Sequence, residues 1–196
     1  MNFTNSVVGK KWMAIAGLAW FSYIIFHMVS LLIFHQGEQS FNSFYQQLNQ
    51  HSLYQIMVVF LVMLFSLHVV TAVVRQIANN KSKGRGYKKS YPHEIPRVAA
   101  WSGASILFIF IIVHVVQLKL FVNDHWYQIT VELLSQPLML AFYLLGVLTL
   151  SVHLHHGLSN VLQTLGITQR SYHYLAISIS LILFVGFLSI LASVVL

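Results

Sequence analysis

Four histidines, His27, His68, His114 and His153, each lie inside a long apolar segment of the chain. An ionisable side chain at bilayer depth is costly, so it marks a functional site by default. Neutral imidazole binds metal ions and can also relay protons. For any one of these residues taken alone, a structural role with the ring hydrogen-bonded to a neighbouring helix is an equally good interpretation. Their spacing favours the functional one.

Each histidine lies about 16 residues, or roughly 24 Å, beyond the point where its segment enters a membrane core about 30 Å thick. Successive spanning helices run in opposite directions, so His27 and His114 share one depth, and His68 and His153 share another. We call His27 and His114 the outer pair, and His68 and His153 the inner pair. One histidine per helix at two matched depths is hard to explain by structural roles alone.

Two pairs of imidazoles at two depths are what two stacked haem groups with bis-histidine ligation require. The apolar segments contain no Asp or Glu, and the chain contains no cysteine. A zinc site would usually add Cys, Asp or Glu and would gather its ligands at one depth. The lack of cysteine also excludes disulfides, Cys-ligated iron–sulfur clusters and covalently attached c-type haem. The sequence therefore predicts two non-covalent haem b groups.

The fourth apolar segment offers two candidate ligands, because it reads HLHHG from His153 onwards. His156 lies three residues after His153, near the same face of a helix. The depth match with His68 favours His153 as the ligand, and leaves His156 as the alternative ligand or as a partner for a haem propionate. Arg75, two turns beyond His68, and Arg97 are the candidate propionate partners of the inner haem.

Polar side chains near the outer pair are candidates to bind or protonate a quinone. No characteristic spacing supports this assignment, and a solvated role is the ordinary one for such residues in loops and at segment ends. The candidates are His35, Glu38, His51 and Tyr54.

The elements that must position these residues are five apolar segments. Hydrophobic residues make up 57% and charged residues 8% of the 196 residues, which together with a mean hydropathy of +0.72 indicates a membrane protein. The first segment is too long for a cleaved signal peptide, so we interpret it as a signal anchor. The predicted fold is an all-α bundle of five transmembrane helices in a single domain, residues 1–196, with helices at about 12–34, 53–78, 97–121, 137–163 and 172–195.

Basic residues lie almost entirely on one side of this predicted bundle. Of the eleven Lys and Arg residues, Lys119 alone falls on the side opposite the N-terminus. By the positive-inside rule the N-terminus is cytoplasmic and the C-terminus outside, which predicts a multi-pass protein of a bacterial cytoplasmic membrane. The net charge of +7 is then explained by orientation in the lipid bilayer and not by binding of nucleic acid.

Several segments resemble a known family. The run AFYLLGVLTLSVHLHHGLSNVLQTLGIT (141–168) is similar to the fourth-helix region of the cytochrome b subunit of succinate dehydrogenase and fumarate reductase, of the type with one five-helix polypeptide and two haems. FHMVSLLIF (26–34), SLHVVTAV (66–73) and SGASILFIFIIVHVVQLK (102–119) resemble the histidine-bearing segments of that family, and EQSFNSFYQQL (38–48) resembles its first outer loop. The resemblance covers nearly the whole chain.

The resemblance implies that the inner pair binds one haem and the outer pair the other. It implies a membrane anchor for a flavoprotein subunit and an iron–sulfur subunit, which passes electrons from succinate through both haems to a quinone, menaquinone in low-potential members. The succinate site would lie on a partner, since this chain has no glycine-rich nucleotide motif. The basic loop at 75–97 would dock the iron–sulfur subunit, and Glu38 is the nearest acid for proton chemistry at the quinone.

Three other functions stay open at this point. The chain could be the b-type anchor of another membrane dehydrogenase, such as a formate dehydrogenase or a hydrogenase; cytochromes of the bc type, with two histidine ligands on one helix, fit less well. It could be a transporter that moves haem, metal ions or protons through a histidine relay, although inverted repeats and broken helices are not visible. A structural anchor without haem is the third alternative.

Overall fold

The computed structural model of the protein describes residues 6–81, 97–120, 125–164, 166 and 171–195. Within those stretches all of the regular structure is helical. Most of the basic loop that is predicted to dock a partner lies outside them, at 82–96.

Five helices are long and apolar enough to cross a membrane, which confirms the five predicted spans. A spanning helix needs about 20 predominantly apolar residues, because every backbone polar group in the hydrocarbon core must be paired within the helix. The candidate spans are Lys11–Gln36, Ser52–Ala78, Trp101–Lys119, Pro137–Leu162 and Tyr174–Val195.

Two of the long helices end in a turn of a different kind. A 3-10 turn, Leu32–Gln36, follows the helix Ser6–Leu31, and a π turn, Val116–Leu120, follows the helix Arg97–Val115. The helices of the described residues are α1 (Ser6–Leu31), α2 (Glu38–Gln50), α3 (Ser52–Lys81), α4 (Arg97–Val115), α5 (Trp126–Leu134), α6 (Pro137–Thr164) and α7 (Ser171–Val195).

Glycine and proline set several of the helix ends. Gly37 has a φ of 89°, which turns the chain from the 3-10 turn into α2, and its N–H donates to the carbonyl of Phe34 at 3.1 Å. Pro137 opens α6, where its missing N–H has no intrahelical partner to lose. Gly166, with a φ of 85°, follows the end of α6 in the conformation expected of a helix C-cap.

The predicted spans leave 122–136 as a loop between the third and the fourth. That prediction is wrong for the short helix α5, which occupies most of this stretch and packs against α2. Tyr127 of α5 stacks on Phe34 with ring centroids 4.4 Å apart, and the buried Phe41 of α2 completes the cluster. Tyr127 is therefore part of a packed aromatic core and not only an anchor at the headgroup level. We call α2 and α5 together the cap.

The long helices pack unevenly against one another. Close backbone packing joins α1 with α3, α4 with α6, α7 with both α6 and α1, and α1 with α6. The main core lies where α1, α4, α6 and α7 meet, around Met28, Phe110, Tyr143 and Phe187. The combinations of α1 with α4 and of α3 with α6 are not among the closely packed pairs of the described residues. Side chains, and not backbone contacts, fill the space between those helices.

Candidate cofactor site

The outer pair is brought together from α1 and α4. The ring centroids of His27 and His114 are 5.9 Å apart, with an angle of 68° between the ring planes. Tyr23 stacks on His27 at 5.6 Å, and Phe110 stacks on His114 at 5.6 Å. Phe187 of α7 approaches His27 to 6.0 Å. The two imidazoles are therefore positioned by aromatic side chains from three helices.

The inner pair is brought together from α3 and α6. The ring centroids of His68 and His153 are 6.4 Å apart, with an angle of 71° between the ring planes. Gly17 of α1 lies beside this pair, since a Cβ atom built on it would be 3.7 Å from Cε1 of His68. The small residue lets the imidazole lie against the backbone of α1, and a long side chain at this position would compete for the space of the ring.

The two pairs lie at different levels along the bundle. On α1, Gly17 marks the level of the inner pair, and His27 follows about ten residues, or about 15 Å, later. On α6, the ring of Tyr143 is 5.8 Å from that of His114 and marks the outer level. His153 follows it by the same interval of about 15 Å. Two helices thus give the same separation between the levels.

Three large aromatic residues occupy the layer between the two pairs. Trp20 and Phe65 have ring centroids 5.4 Å apart, and Phe65 stacks on Phe108 at 5.8 Å with an interplanar angle of 4°. The indole N–H of Trp20 donates to the carbonyl of Leu61 at 3.0 Å, which fixes the orientation of its ring. This aromatic layer connects α1, α3 and α4 at a depth where helices without it would be separated.

The spacing within each pair fits a metal atom between the rings. With a metal–imidazole bond of about 2 Å on each side, two rings on opposite faces of one metal have centroids roughly 6 Å apart. The observed distances are 5.9 and 6.4 Å. Nδ1 of His68 and Nδ1 of His114 are also buried without a hydrogen-bond partner among the described residues, one in each pair. Such atoms are costly to leave unpaired, and the ring spacing within each pair fits ligation of haem iron.

The two pairs do not form a zinc-type cluster. Among the residues that the structure describes, no group of three or more His, Cys, Asp or Glu is close enough to hold a metal ion. Protein zinc sites use at least three such ligands, and usually four in structural sites. Two imidazoles suffice for haem, because the porphyrin supplies the remaining ligands. The donor set therefore favours haem over a bare metal ion.

The choice between His153 and His156 can be read from the side-chain directions. His156 is exposed, and its Nε2 pairs with the side-chain amide of Asn160 one turn later, at 2.9 Å. His153 lies against His68. The structure thus places His153 in the inner pair and turns His156 away from it.

Of the two arginines predicted to bind propionates, the structure describes the side chain of one. Arg75 is half-buried on α3, two turns beyond His68 and so on the same face of the helix. Arg97 is the first residue of α4, and its side chain lies outside the described part of the chain. Both residues remain predicted partners of the inner haem.

A groove of about 370 Å³ runs between α1, α2 and α3 beside the outer pair. Its walls include Phe26 and Phe44, and its polar groups come from Gln47, His51 and Tyr54. His51 and Tyr54 are two of the residues predicted to bind a quinone. An apolar wall with a few convergent polar groups suits a flat apolar molecule with a polar head. The structure therefore brings these two candidates together.

The other two quinone candidates lie elsewhere. Nε2 of His35 pairs with the hydroxyl of Ser189 on α7 at 3.1 Å. Glu38 accepts a hydrogen bond from the side-chain amide of Gln128 on α5 and lines a separate polar groove on α2. Neither of them lines the groove that holds His51 and Tyr54.

Two tyrosines that are not predicted from the sequence, Tyr23 and Tyr45, lie near this groove together with the predicted Tyr54. The hydroxyls of Tyr23 and Tyr54 interact, and Tyr23 stacks on His27. The hydroxyl of Tyr45 on α2 lies 3.0 Å from that of Ser30, and burial raises the pKa of Tyr45, so it stays neutral. A signal was present, because Tyr23 stands four residues before His27 and therefore on the same helix face.

The described residues combine three features that bear on function. These are two imidazole pairs at two levels, an aromatic layer between them and a groove beside the outer pair. Comparisons of the chain with protein-family models, with curated proteins and with solved structures found no match.

Proposed function

We propose that this chain is the dihaem cytochrome b membrane anchor of a succinate:quinone oxidoreductase. The proposal depends on one observation, the two histidine pairs at two levels of the helix bundle. The ring centroids are 5.9 Å apart in the outer pair and 6.4 Å apart in the inner pair. Each pair joins two helices that are not among the closely packed pairs of the described residues. The sequence resemblance to the anchor subunit of that family supports the same assignment.

Haem, when bound, supplies a centre that accepts and releases single electrons. The chain's own contribution is to hold and insulate the two sites. The inner and outer pairs would supply the axial imidazoles, while Trp20, Phe65 and Phe108 keep water out of the layer between them. A dry, apolar surrounding of this kind is one of the means by which a protein tunes a redox potential.

Electrons would enter the chain at the inner pair and leave it at the outer pair. We assign the basic loop at 75–97 to docking of an iron–sulfur subunit, itself joined to a flavoprotein subunit that oxidises succinate. The positive-inside distribution supports this, because it puts that loop on the cytoplasmic side of a bacterial membrane. The chain is thus a subunit of an oxidoreductase and has no succinate site of its own.

A quinone, in our proposal menaquinone, would take up the electrons at the groove beside the outer pair. His51 and Tyr54 are placed to hydrogen-bond its carbonyl oxygens, and the apolar walls suit its ring and tail. Tyr54 interacts with Tyr23, which stacks on His27, so a continuous set of side chains joins the groove to an axial ligand. Glu38 and His35 have partners elsewhere and are not needed for this contact.

The first test is a count of haem in the purified chain by the pyridine haemochrome method. We expect two protohaems per chain, one after His68→Ala or His114→Ala, and none after both changes together. His156→Ala is the matched control beside His153→Ala, and it should keep both haems because its ring points away from the inner pair. A chain that folds and holds no haem would overturn the proposal in favour of a histidine-lined transporter or a haem-free anchor.

A second test separates this enzyme from other membrane dehydrogenases. In membranes that contain the whole complex, succinate should reduce the haems of this chain, whereas formate or hydrogen should not. Variants of His51 and Tyr54 should slow reoxidation of the haems by added menaquinone analogues while leaving the haem count at two. Reduction by formate or hydrogen alone would assign the chain to the other class of anchor.

A further inference from the structure

We propose that Lys119 is the cation that binds the propionate carboxylates of the cofactor at the outer pair and thereby raises its redox potential. This inference rests on the proposed function, since it requires haem at His27 and His114. It assigns a positioning role to a residue that lies outside the histidine pairs and outside the groove.

Lys119 is placed near the outer pair by the π turn at the end of α4. It follows His114 by five residues and lies in the turn Val116–Leu120. In a regular α-helix a residue at this spacing lies about 140° away around the helix axis. A π turn pairs residues five apart, and so brings Lys119 back toward the face that carries His114. Single π turns inside helices are frequent at functional sites.

The contacts of Lys119 are with neutral groups. Its ammonium donates to Oδ1 of Asn49 and lies 5.2 Å from the centre of the Tyr54 ring. Among the described residues no carboxylate forms an ion pair with it. Asn49 is itself fixed, because its amide donates to the carbonyl of Tyr45 at 2.7 Å. The cation is therefore pre-positioned, and the part of the chain that the structure describes gives it no anionic partner.

The charge distribution of the chain points to an anion at this place. Lys119 is the one Lys or Arg that falls on the outer side of the predicted topology. An outward-facing haem carries two carboxylates, and anions at membrane depth need a cation or hydrogen-bond donors. Lys119 lies over the ring of Tyr54, Tyr54 interacts with Tyr23, and Tyr23 stacks on His27, so a series of contacts joins the cation to the outer pair.

The physical effect follows from the charge on the iron. Reduction adds an electron, and a nearby positive charge favours the reduced form. Loss of the lysine charge should therefore lower the midpoint potential of the outer haem. The alternative is a role in the membrane interface, in which Lys119 only extends to the phosphates of lipid headgroups, as lysines at helix ends often do. In that case the potential of the haem would not depend on it.

The test is a spectroscopic redox titration of the purified protein with haem counted in the same samples. We expect Lys119→Gln to keep two haems and to lower the potential of the outer one, with a change of about tenfold in its ratio of reduced to oxidised form at fixed ambient potential, which is about 59 mV for one electron. Lys119→Arg should largely restore the potential. Asn49→Ala should shift it in the same direction by less, because the ammonium loses its anchor.

Two controls keep the outcomes distinct. Lys11→Gln removes one positive charge at the far end of α1 and should leave the outer potential unchanged. Asp124 lies outside the described residues and is the carboxylate nearest to Lys119 in the sequence, so Asp124→Asn should not reproduce the effect of Lys119→Gln. An unchanged outer potential with two haems present overturns the role of Lys119 alone, whereas a wild-type chain without haem overturns the proposed function as well.

Discussion

Gly146 shows how a single residue controls the position of an axial ligand candidate. A Cβ atom on this residue would overlap the ring of Phe110, which packs into the space that the glycine leaves. Phe110 in turn stacks on His114. Gly146 on α6 thus acts on a histidine of α4 without touching it.

We expect Gly146→Ala to displace Phe110 and with it the ring of His114. Overpacking of this kind typically costs about 1–3 kcal/mol. In the purified protein it should lower thermal stability and the occupancy of the outer haem, while the inner haem stays in place. Gly157→Ala on the same helix is the matched control, because nothing lies within 4 Å of a Cβ atom there. Equal behaviour of the two variants would contradict this chain of contacts.

Depth and spacing were enough to pair the four histidines from the sequence. Helix rise relates residue number directly to height in the membrane, so His27 could be matched with His114 and His68 with His153 before any contact was known. The residues that line the groove beside the outer pair could not be chosen in this way. His35 and Glu38 are as close in sequence to the outer pair as His51 is, and only the tertiary fold turns the first two toward α7 and α5.

At the scale of the helices, the cap depends on a hydrogen bond from α2 that caps the N-terminus of α5. His125 precedes α5 and makes no side-chain cap. The side chain of Asn42 on α2 takes that place, with Oδ1 accepting the N–H of Tyr127 at 2.9 Å and the amide donating to Gln128 at 3.2 Å. The first N–H groups of any helix need such partners. A residue of one helix therefore caps the next one in space.

Asn42→Ala should loosen α5 from α2. The change leaves the N–H of Tyr127 without its acceptor, which costs about 1–3 kcal/mol where the group is buried. Faster hydrogen exchange over Trp126–Leu134 would measure the loss. The exposed neighbour Ser43 provides the control, since Ser43→Ala removes a hydroxyl from the same helix and should leave exchange in α5 unchanged. Unaltered exchange in Asn42→Ala would show that aromatic packing alone holds the cap.

The long helices were predictable and the cap was only partly so. Apolar runs of more than 18 residues have few alternatives to a spanning helix, which is why the five spans could be placed within a few residues of their observed bounds. The stretch that forms α5 has only nine helical residues and no start signal of its own. Its helix is stabilised by contacts with α2 and with Phe34, which local sequence does not contain.

At the scale of the whole molecule, the uneven packing of the helices would make haem at the two histidine pairs a structural component. Helices α1 and α3 pack closely, as do α4 and α6, whereas the histidine pairs bridge these two units. A ligand that binds only the folded state stabilises it according to its affinity and concentration. Haem at both sites would therefore hold the two units together.

We expect the double variant His68→Ala/His114→Ala to unfold at a lower temperature than the parent in detergent. Its helix content, measured by circular dichroism at low temperature, should stay close to that of the parent, because the five spans satisfy their own backbone hydrogen bonds. Single variants should lie between the two. An unchanged unfolding temperature in the double variant, with two haems in the parent, would show that α7 and the packing of α1 on α6 suffice to join the two units.

The orientation of the molecule can be measured directly because the chain has no cysteine. A cysteine in place of the exposed Gln46 on α2 should react with a membrane-impermeant maleimide in intact spheroplasts. One in place of Lys83, in the basic loop, should react only after the membrane is opened. The reverse pattern would invert the topology that the positive-inside rule predicts, and with it the proposed direction of electron flow.

The pairing of His27 with His114 and of His68 with His153 has a consequence for the order of events during synthesis. Each pair takes one ring from the first half of the chain and one from the second. When α1 and α3 have left the ribosome, both of their imidazoles are present and neither has met its partner. The inner pair becomes complete only when α6 has been made. Haem could therefore be held between both rings of the outer pair only after α4 has been made, and between both rings of the inner pair only after α6.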